Sequence, residues 1–172
     1  LSDIGAAKAR NTGITIANGK IIAFTDDDCQ PDADWLENAK KVFERDDIIG
    51  LEGFIYTDET KLKDPKYRIV TNLDFEGMGF MTANLFIRHY VVKNIDGFDE
   101  RFDKPHFRED TDLAWRAQNF GEIKFARDVR VYHPPHLRKI KGESREDRDR
   151  FFINDALLFT KHPEKYIKLM KK

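Results

Sequence analysis

Short apolar runs of strand length alternate along this chain with segments of helical periodicity, and that alternation restricts the fold more than any other feature. Ala6 to Ala17 spaces small and polar residues as a helix does, Asn18-Gly19 stops it, and Lys20 to Thr25 is a short apolar run that predicts a buried strand. After Pro31, the residues Trp35, Leu36, Ala39, Val42 and Phe43 share one face of a helix predicted from Asp32 to Arg45. Ile48 to Tyr56, rich in β-branched and aromatic residues, predicts a second strand. Residues 58–79 are polar, then flanked by Gly77 and Gly79, and predict a long mobile loop. A strand from Phe80 to Ile87, a short helix from Arg88 to Ile95 closed by Asp96-Gly97, a helix from Glu109 to Gly121, strands at Glu122–Ala126 and Val129–His133, and a last amphipathic helix from Asp149 to Phe159 complete the series. Such alternation predicts an α/β domain with a mixed sheet flanked by helices.

Composition narrows the class. The 172 residues carry 30 Lys plus Arg against 31 Asp plus Glu, with 40% apolar residues and 14 Phe, which supports a packed core and argues against disorder and against nucleic acid as a partner. One Cys excludes an intrachain disulfide, and with no secretory signal sequence at its start the chain suits a reducing, cytoplasmic compartment. The charge is uneven. Residues 1–136 hold 19 basic and 25 acidic side chains, net −6, and residues 137–172 hold 11 and 6, net +5. The basic end reads as a solvated helical extension of the same domain or as a contact for an anionic membrane surface or acceptor.

Chemistry concentrates in two acidic clusters. Asp26-Asp27-Asp28 follows an apolar strand directly, and three adjacent carboxylates repel one another unless a cation sits among them. Mg²⁺ or Mn²⁺ suits such hard oxygen donors, and the carboxyl end of a strand is where ligands gather in open α/β sheets. Capping of the next helix by Asp28 or Asp32 is the structural alternative. The second cluster, Glu109-Asp110-Thr111-Asp112, opens the helix that carries Trp115 and Arg116; it reads either as a helix cap or as a general base, since a carboxylate beside another carboxylate can be tuned to accept a proton at neutral pH. Arg10-Asn11 reads as a helix end or a phosphate or sugar contact, and His133, ahead of Pro134-Pro135, as a turn residue or a metal ligand.

Together these residues form a resemblance. Gly5 to Ile14, Ala17 to Lys20 and Ile22 to Pro31 resemble the central stretch of the family 2 glycosyltransferases, Gly97 to Phe102 and Arg108 to Arg116 its second block, and Val131-Tyr132-His133 its later metal-contacting histidine; the match runs from about Gly5 to His136. The resemblance implies a GT-A, Rossmann-like fold and transfer of a sugar from a nucleotide diphosphate-sugar donor to a hydroxyl of a glycan, lipid-linked or protein acceptor, with inversion. It implies Mn²⁺ or Mg²⁺ held by Asp26, Asp28 and His133, and Asp110 as general base beside Glu109, across a cleft from the metal side. It places Arg10, Asn11, Asp26, Asp27, Thr82, Ala83, Asn84, Asp112 and Arg116 among the substrate-binding residues, with the loop of residues 58–79 facing the acceptor.

The chain departs from that family where its first βαβ unit would stand: Leu1 precedes the helix that normally follows it. This predicts a truncated fragment, residues 1–136 forming the partial catalytic core and 137–172 its extension, with weak nucleotide binding and a tendency to self-associate. The Gln-x-x-Arg-Trp element of processive synthases is missing, which argues for single-sugar transfer. A metal-dependent nucleotidyltransferase would be expected to show a Gly-rich phosphate loop near its first strand, and none is visible; a non-catalytic interaction module is the other alternative.

Overall fold

The computed structural model describes residues 5–103, 106–138 and 145–171, the side chains of residues 145–148 and 150 excepted. Its centre is a five-stranded mixed sheet built from β1 (Ile21–Phe24), β2 (Gln30–Pro31), β3 (Ile48–Tyr56), β5 (Leu85–Arg88) and β6 (Glu122–Tyr132), in the order β1-β5-β3-β6-β2. Only β3 and β6 run parallel; the other three pairings are antiparallel. A separate two-stranded ribbon joins β4 (Tyr67–Arg68) to β7 (His136–Leu137).

Helices cover both faces, and the strand pleat decides which residues meet which layer. On one face, α2 (Trp35–Val42) packs Ala39 and the neighbouring Phe43 against Ile48, Leu51, Phe86 and Val129. On the other, α1 (Ala6–Ile16), α3 (His89–Asn94) and α4 (Glu109–Ala117) bury Ala7, Ile14, Val91, Val92, Leu113 and Ala117 against Ile22, Phe24, Ile49, Leu85 and Ile87. The alternation Ile48 to one face, Ile49 to the other is the period of two that a strand buried on both sides requires. Leu158 of α5 (Arg145–Lys161) is fully buried in the second of these layers, and α6 (Pro163–Met170) lays Tyr166 and Leu169 beside it. No helix among the described residues is long and apolar enough to cross a membrane.

Several boundaries differ from the sequence expectation for physical reasons. α2 is shorter than Asp32 to Arg45, and Leu36 lies 64% exposed instead of on the buried face. The strand expected from Phe80 begins only at Leu85, because Thr82–Asn84 form a 3₁₀ turn. The two strands expected on either side of Arg127-Asp128 are one strand, β6, with a bulge: Gly53 pairs with Ala126 and the next residue, Phe54, pairs with Arg130. Asn84 fills this irregularity, donating to Phe54 O at 3.1 Å and Val129 O at 2.9 Å. A Cβ at residue 53 would sit on the Asn84 amide and the Val129 carbonyl, so glycine is required there. The last helix extends to Arg145–Lys161, then breaks at His162 and restarts with Pro163 at its first turn as the unanticipated α6.

Residues 58–79 are tied down at both ends. β4 pairs with β7, and near the other end Asn72, fully buried, accepts from Ile55 N at 2.8 Å and donates to Gly53 O at 2.8 Å. The polar residues of this segment thus satisfy the edge of β3.

Candidate active site

The acidic cluster after β1 is assembled by the sheet register. β2 pairs antiparallel with the end of β6, Gln30 opposite Tyr132, so the residues just before β2 lie beside the residue just after β6. Asp26, Asp28, Cys29 and His133 thereby converge, each offering a donor atom within 4.8 Å of the others. His133 is 4% exposed, and its Nδ1 lies 3.0 Å from Pro134 O. A carbonyl can only accept, so Nδ1 carries a proton and, in the neutral ring, the lone pair is on Nε2, which faces Asp28 Oδ1 at 3.7 Å. That tautomer is the one a metal ligand needs. With two carboxylates beside it, the donor set fits Mn²⁺ or Mg²⁺; Cys29 is a soft donor whose thiol burial pushes up to about 11, and it suits such an ion poorly.

Neither carboxylate proposed as a cap serves α2. Asp28 Oδ2 meets His136 Nε2 at 2.8 Å, and Asp32 Oδ1 accepts from the Tyr56 hydroxyl at 2.7 Å. His136 arrives through the β4–β7 ribbon, a contribution that sequence spacing did not point to. Asp27 is exposed at the rim.

The second cluster stands at the start of α4. Arg108, which precedes it, has φ 72°, in the left-handed region that non-glycine residues rarely occupy, and its guanidinium is fixed by Asp155 at 2.8 Å and by the face of Phe107. From this left-handed entry Glu109 reaches Arg10 of α1, while Asp110 is held by Thr111 of its own helix. Glu109, 3% exposed, accepts from Arg10 at 2.9 Å. The other arm of the same guanidinium lies 3.6 Å from Asp26, so one arginine bridges two clusters more than eighty residues apart. Burial first, and then the charge of Glu109, push the Asp110 carboxyl up to about 7; Thr111 N donating at 2.7 Å opposes the shift.

Other predicted residues have structural partners. Asn11 spends its side chain on Phe98, accepting from its N–H at 2.8 Å and donating to its carbonyl at 3.0 Å. Thr82 and Ala83 are buried, and Asn84 Oδ1 accepts from Trp35 Nε1 at 2.9 Å besides filling the bulge. Asp112 is fully buried against Arg116, Lys161 and His162, and Arg116 also donates to the carbonyls of Ile95 and Gly97. Arg10, Asp26, Glu109 and Asp110 therefore share one locality with the Asp28–His133 donor cluster, whereas Asn11, Asn84, Asp112 and Arg116 are bound into the protein.

One acid went unnoticed in the sequence. Glu52, in the middle of β3, is fully buried, accepts from Gly77 N at 2.7 Å and Phe80 N at 2.9 Å, and is pushed up to about 7 by burial, with the charge of Asp110 contributing. A charged residue inside the run Ile48 to Tyr56 was the available signal.

Residues 3–111 match the family model described as Glycosyl transferase family 2. The chain belongs to that family. It is 33% identical over 141 residues to the glycosyltransferase AglE of Haloferax volcanii, an alignment that covers 76% of this chain and 44% of AglE. Its fold is similar to crystal structures of TarS from S. aureus: residues 1–349 of TarS superpose with a TM-score of 0.57 at 17% identity over 78% of this chain and 42% of that one, and TarS 1–349 in complex with UDP-GlcNAc with 0.58 at 14% identity over 90% and 47%. The chain thus spans less than half the length of these relatives, and the mixed sheet with its flanking helices is a partial GT-A fold.

Proposed function

We propose that this chain carries the transfer chemistry of an enzyme that moves a sugar from a nucleotide diphosphate-sugar to an acceptor hydroxyl with inversion. The observation that carries the reading is the Arg10 bridge between Asp26 and Glu109, which joins an acid-and-histidine group to the helix start where Asp110, beside Glu109, is pushed up to about 7. The family membership and the UDP-GlcNAc held by TarS support the class of donor.

In this reading Asp110 takes the proton of the attacking hydroxyl. A base must be ionised to act and basic enough to accept, and a carboxyl near 7 meets both conditions at neutral pH. Glu109 is held in place by Arg10, whose charge opposes the burial that raises the Glu109 carboxyl, and an ionised Glu109 raises the basicity of Asp110. Arg10, packed over the Phe98 ring with its two arms toward Glu109 and Asp26, would lend its positive charge to the donor's phosphates. Mn²⁺ or Mg²⁺ held by Asp26, Asp28 and His133 would neutralise charge that develops on the diphosphate leaving group.

Turnover of a panel of nucleotide sugars, with Mn²⁺, Mg²⁺ or a chelator, tests the proposal. One donor is expected to be consumed with metal present, and Asp110→Asn to lower kcat/KM by about 10²–10⁴-fold while donor affinity stays within about twofold. Full turnover in Asp110→Asn overturns the base assignment, and no turnover with any donor overturns the transferase reading.

A further inference from the structure

Glu52 is a buried carboxylate without a cationic partner among the described residues, an arrangement that natural cores avoid unless the group has a task. Its two oxygens are spent on one short segment. Oε2 accepts from Gly77 N, and Oε1 from Phe80 N, with Asn72 Nδ2 at 3.4 Å from the same oxygen. Phe80 is a bulky aromatic residue with φ 53°, so the segment is held in a backbone conformation that it would not adopt by itself. Between the two anchored amides lies Gly79, whose carbonyl is 3.4 Å from the Thr111 hydroxyl. Thr111 in turn donates its N–H to Asp110 Oδ1, with its hydroxyl 3.3 Å from that oxygen. The hydroxyl has one proton and two acceptors, Gly79 O and Asp110 Oδ1.

Resting on the reading of Asp110 as the base, we propose that Glu52 is a positioning residue of the transfer reaction: through the amides of Gly77 and Phe80 it holds residues 77–80 beneath Thr111, and Thr111 orients the Asp110 carboxylate. Two effects follow. Geometrically, the Gly79 carbonyl fixes the side of Asp110 on which the Thr111 hydroxyl lies, leaving the other oxygen for the acceptor. Electrostatically, Glu52 and Asp110 repel when both are ionised, so an ionised Glu52 raises the basicity of Asp110. Among the described residues, the charged and titratable groups that face Asp110 are Glu109 and His106 from its own segment, Arg10 from α1 and Glu52 from β3, and of these only Glu52 also holds residues 77–80.

Glu52→Gln tests this. Gln keeps the shape, but its amide meets an N–H donor, so either Gly77 N or Phe80 N loses its acceptor. Hydrogen exchange at one of these amides should quicken by about tenfold or more, kcat/KM for the acceptor should fall by about 10–100-fold with donor affinity within about twofold, and the acid limb of the pH profile should move to lower pH because a negative charge beside Asp110 is gone. Asn72→Ala is the structural control: it loosens the same loop but keeps the Glu52 charge, so its acid limb should stay. Equal limb shifts in both variants, or none in Glu52→Gln, reduce Glu52 to a loop brace and overturn the proposal. Should Glu52→Gln fail to fold, Thr111→Val carries the test, with the same loss for the acceptor expected and wild-type kinetics contradicting it. Should the wild type transfer no sugar at all, the transferase reading fails separately, and amide exchange together with a carbon-13 carboxyl titration of Asp110 decides: a Glu52→Gln protein unchanged in both overturns the inference.

Discussion

Asp110 and Asp112 stand two residues apart at the start of one helix, and the fold treats them in opposite ways. Asp112 is fully buried and surrounded by partners: the cations of Arg116 at 2.8 Å and Lys161 at 2.7 Å, and the His162 ring at 2.9 Å. It joins α4 to the break between α5 and α6 and, through Arg116, to the turn at Ile95–Gly97. Among the described residues Asp110 accepts hydrogen bonds only from its neighbour's amide and hydroxyl, with a second carboxylate beside it, a third below, and the Arg10 charge opposing them. The same side chain is a structural junction where counter-charges converge and a candidate base where they are withheld.

Removing each acid should separate these roles. Asp112→Ala leaves the Arg116 and Lys161 cations and the His162 ring facing an empty site and is expected to destabilise the protein by about 3–5 kcal/mol, measured by urea unfolding; a loss under about 1 kcal/mol would erase the contrast. Asp110→Asn should do the reverse at alkaline pH. The folded carboxyl is raised to about 7, so the folded state holds its proton more tightly than the unfolded chain, and stability falls as pH rises from the unfolded value toward about 7. Above that the wild type carries a penalty that the amide lacks, so the variant should be more stable by about 1–3 kcal/mol at pH 8 and equal at pH 4. Destabilisation at pH 8 would mean that Asp110 is paired as Asp112 is.

The metal side sharpens the contrast in binding rather than folding. His133→Ala should weaken Mn²⁺ by about tenfold or more in calorimetric titration, and His136→Ala less, because His136 reaches the site through Asp28. Equal losses would make His136 a ligand. The smallest effect belongs to an exposed pair of comparable length: Arg45–Asp47, at 2.6 Å, lies in solvent, and Arg45→Ala should leave the unfolding midpoint unmoved.

Much of the fold was legible because its elements are local. The helix at Ala6, the strands at Ile21 and Ile48 and the short helix at His89 follow from periodicity and from Gly or Asn stops. The acids after β1 were visible because like charges in a row demand an explanation. What spacing could not show is which side chains are used up by distant backbone. Asn11 is held by Phe98, Asn84 by Phe54 and Val129, and Asp112 by Lys161 and His162 some fifty residues away. Each looked available for a ligand in the sequence. Glu52 failed to stand out for the opposite reason, being a single acid inside a strand otherwise read for its apolar residues, and His136 because a two-residue ribbon brings it to Asp28 across the chain. Of the basic extension, residues 139–144 and Lys172 lie outside the described residues.

A carbon-13 carboxyl titration of Asp110 in the intact protein tests the central claim most directly, since it reads the base without needing a donor or an acceptor. The account predicts a midpoint at about 7, falling when Glu109→Gln removes the neighbouring charge. A midpoint in the ordinary aspartate range near 4, unmoved by that substitution, would contradict it.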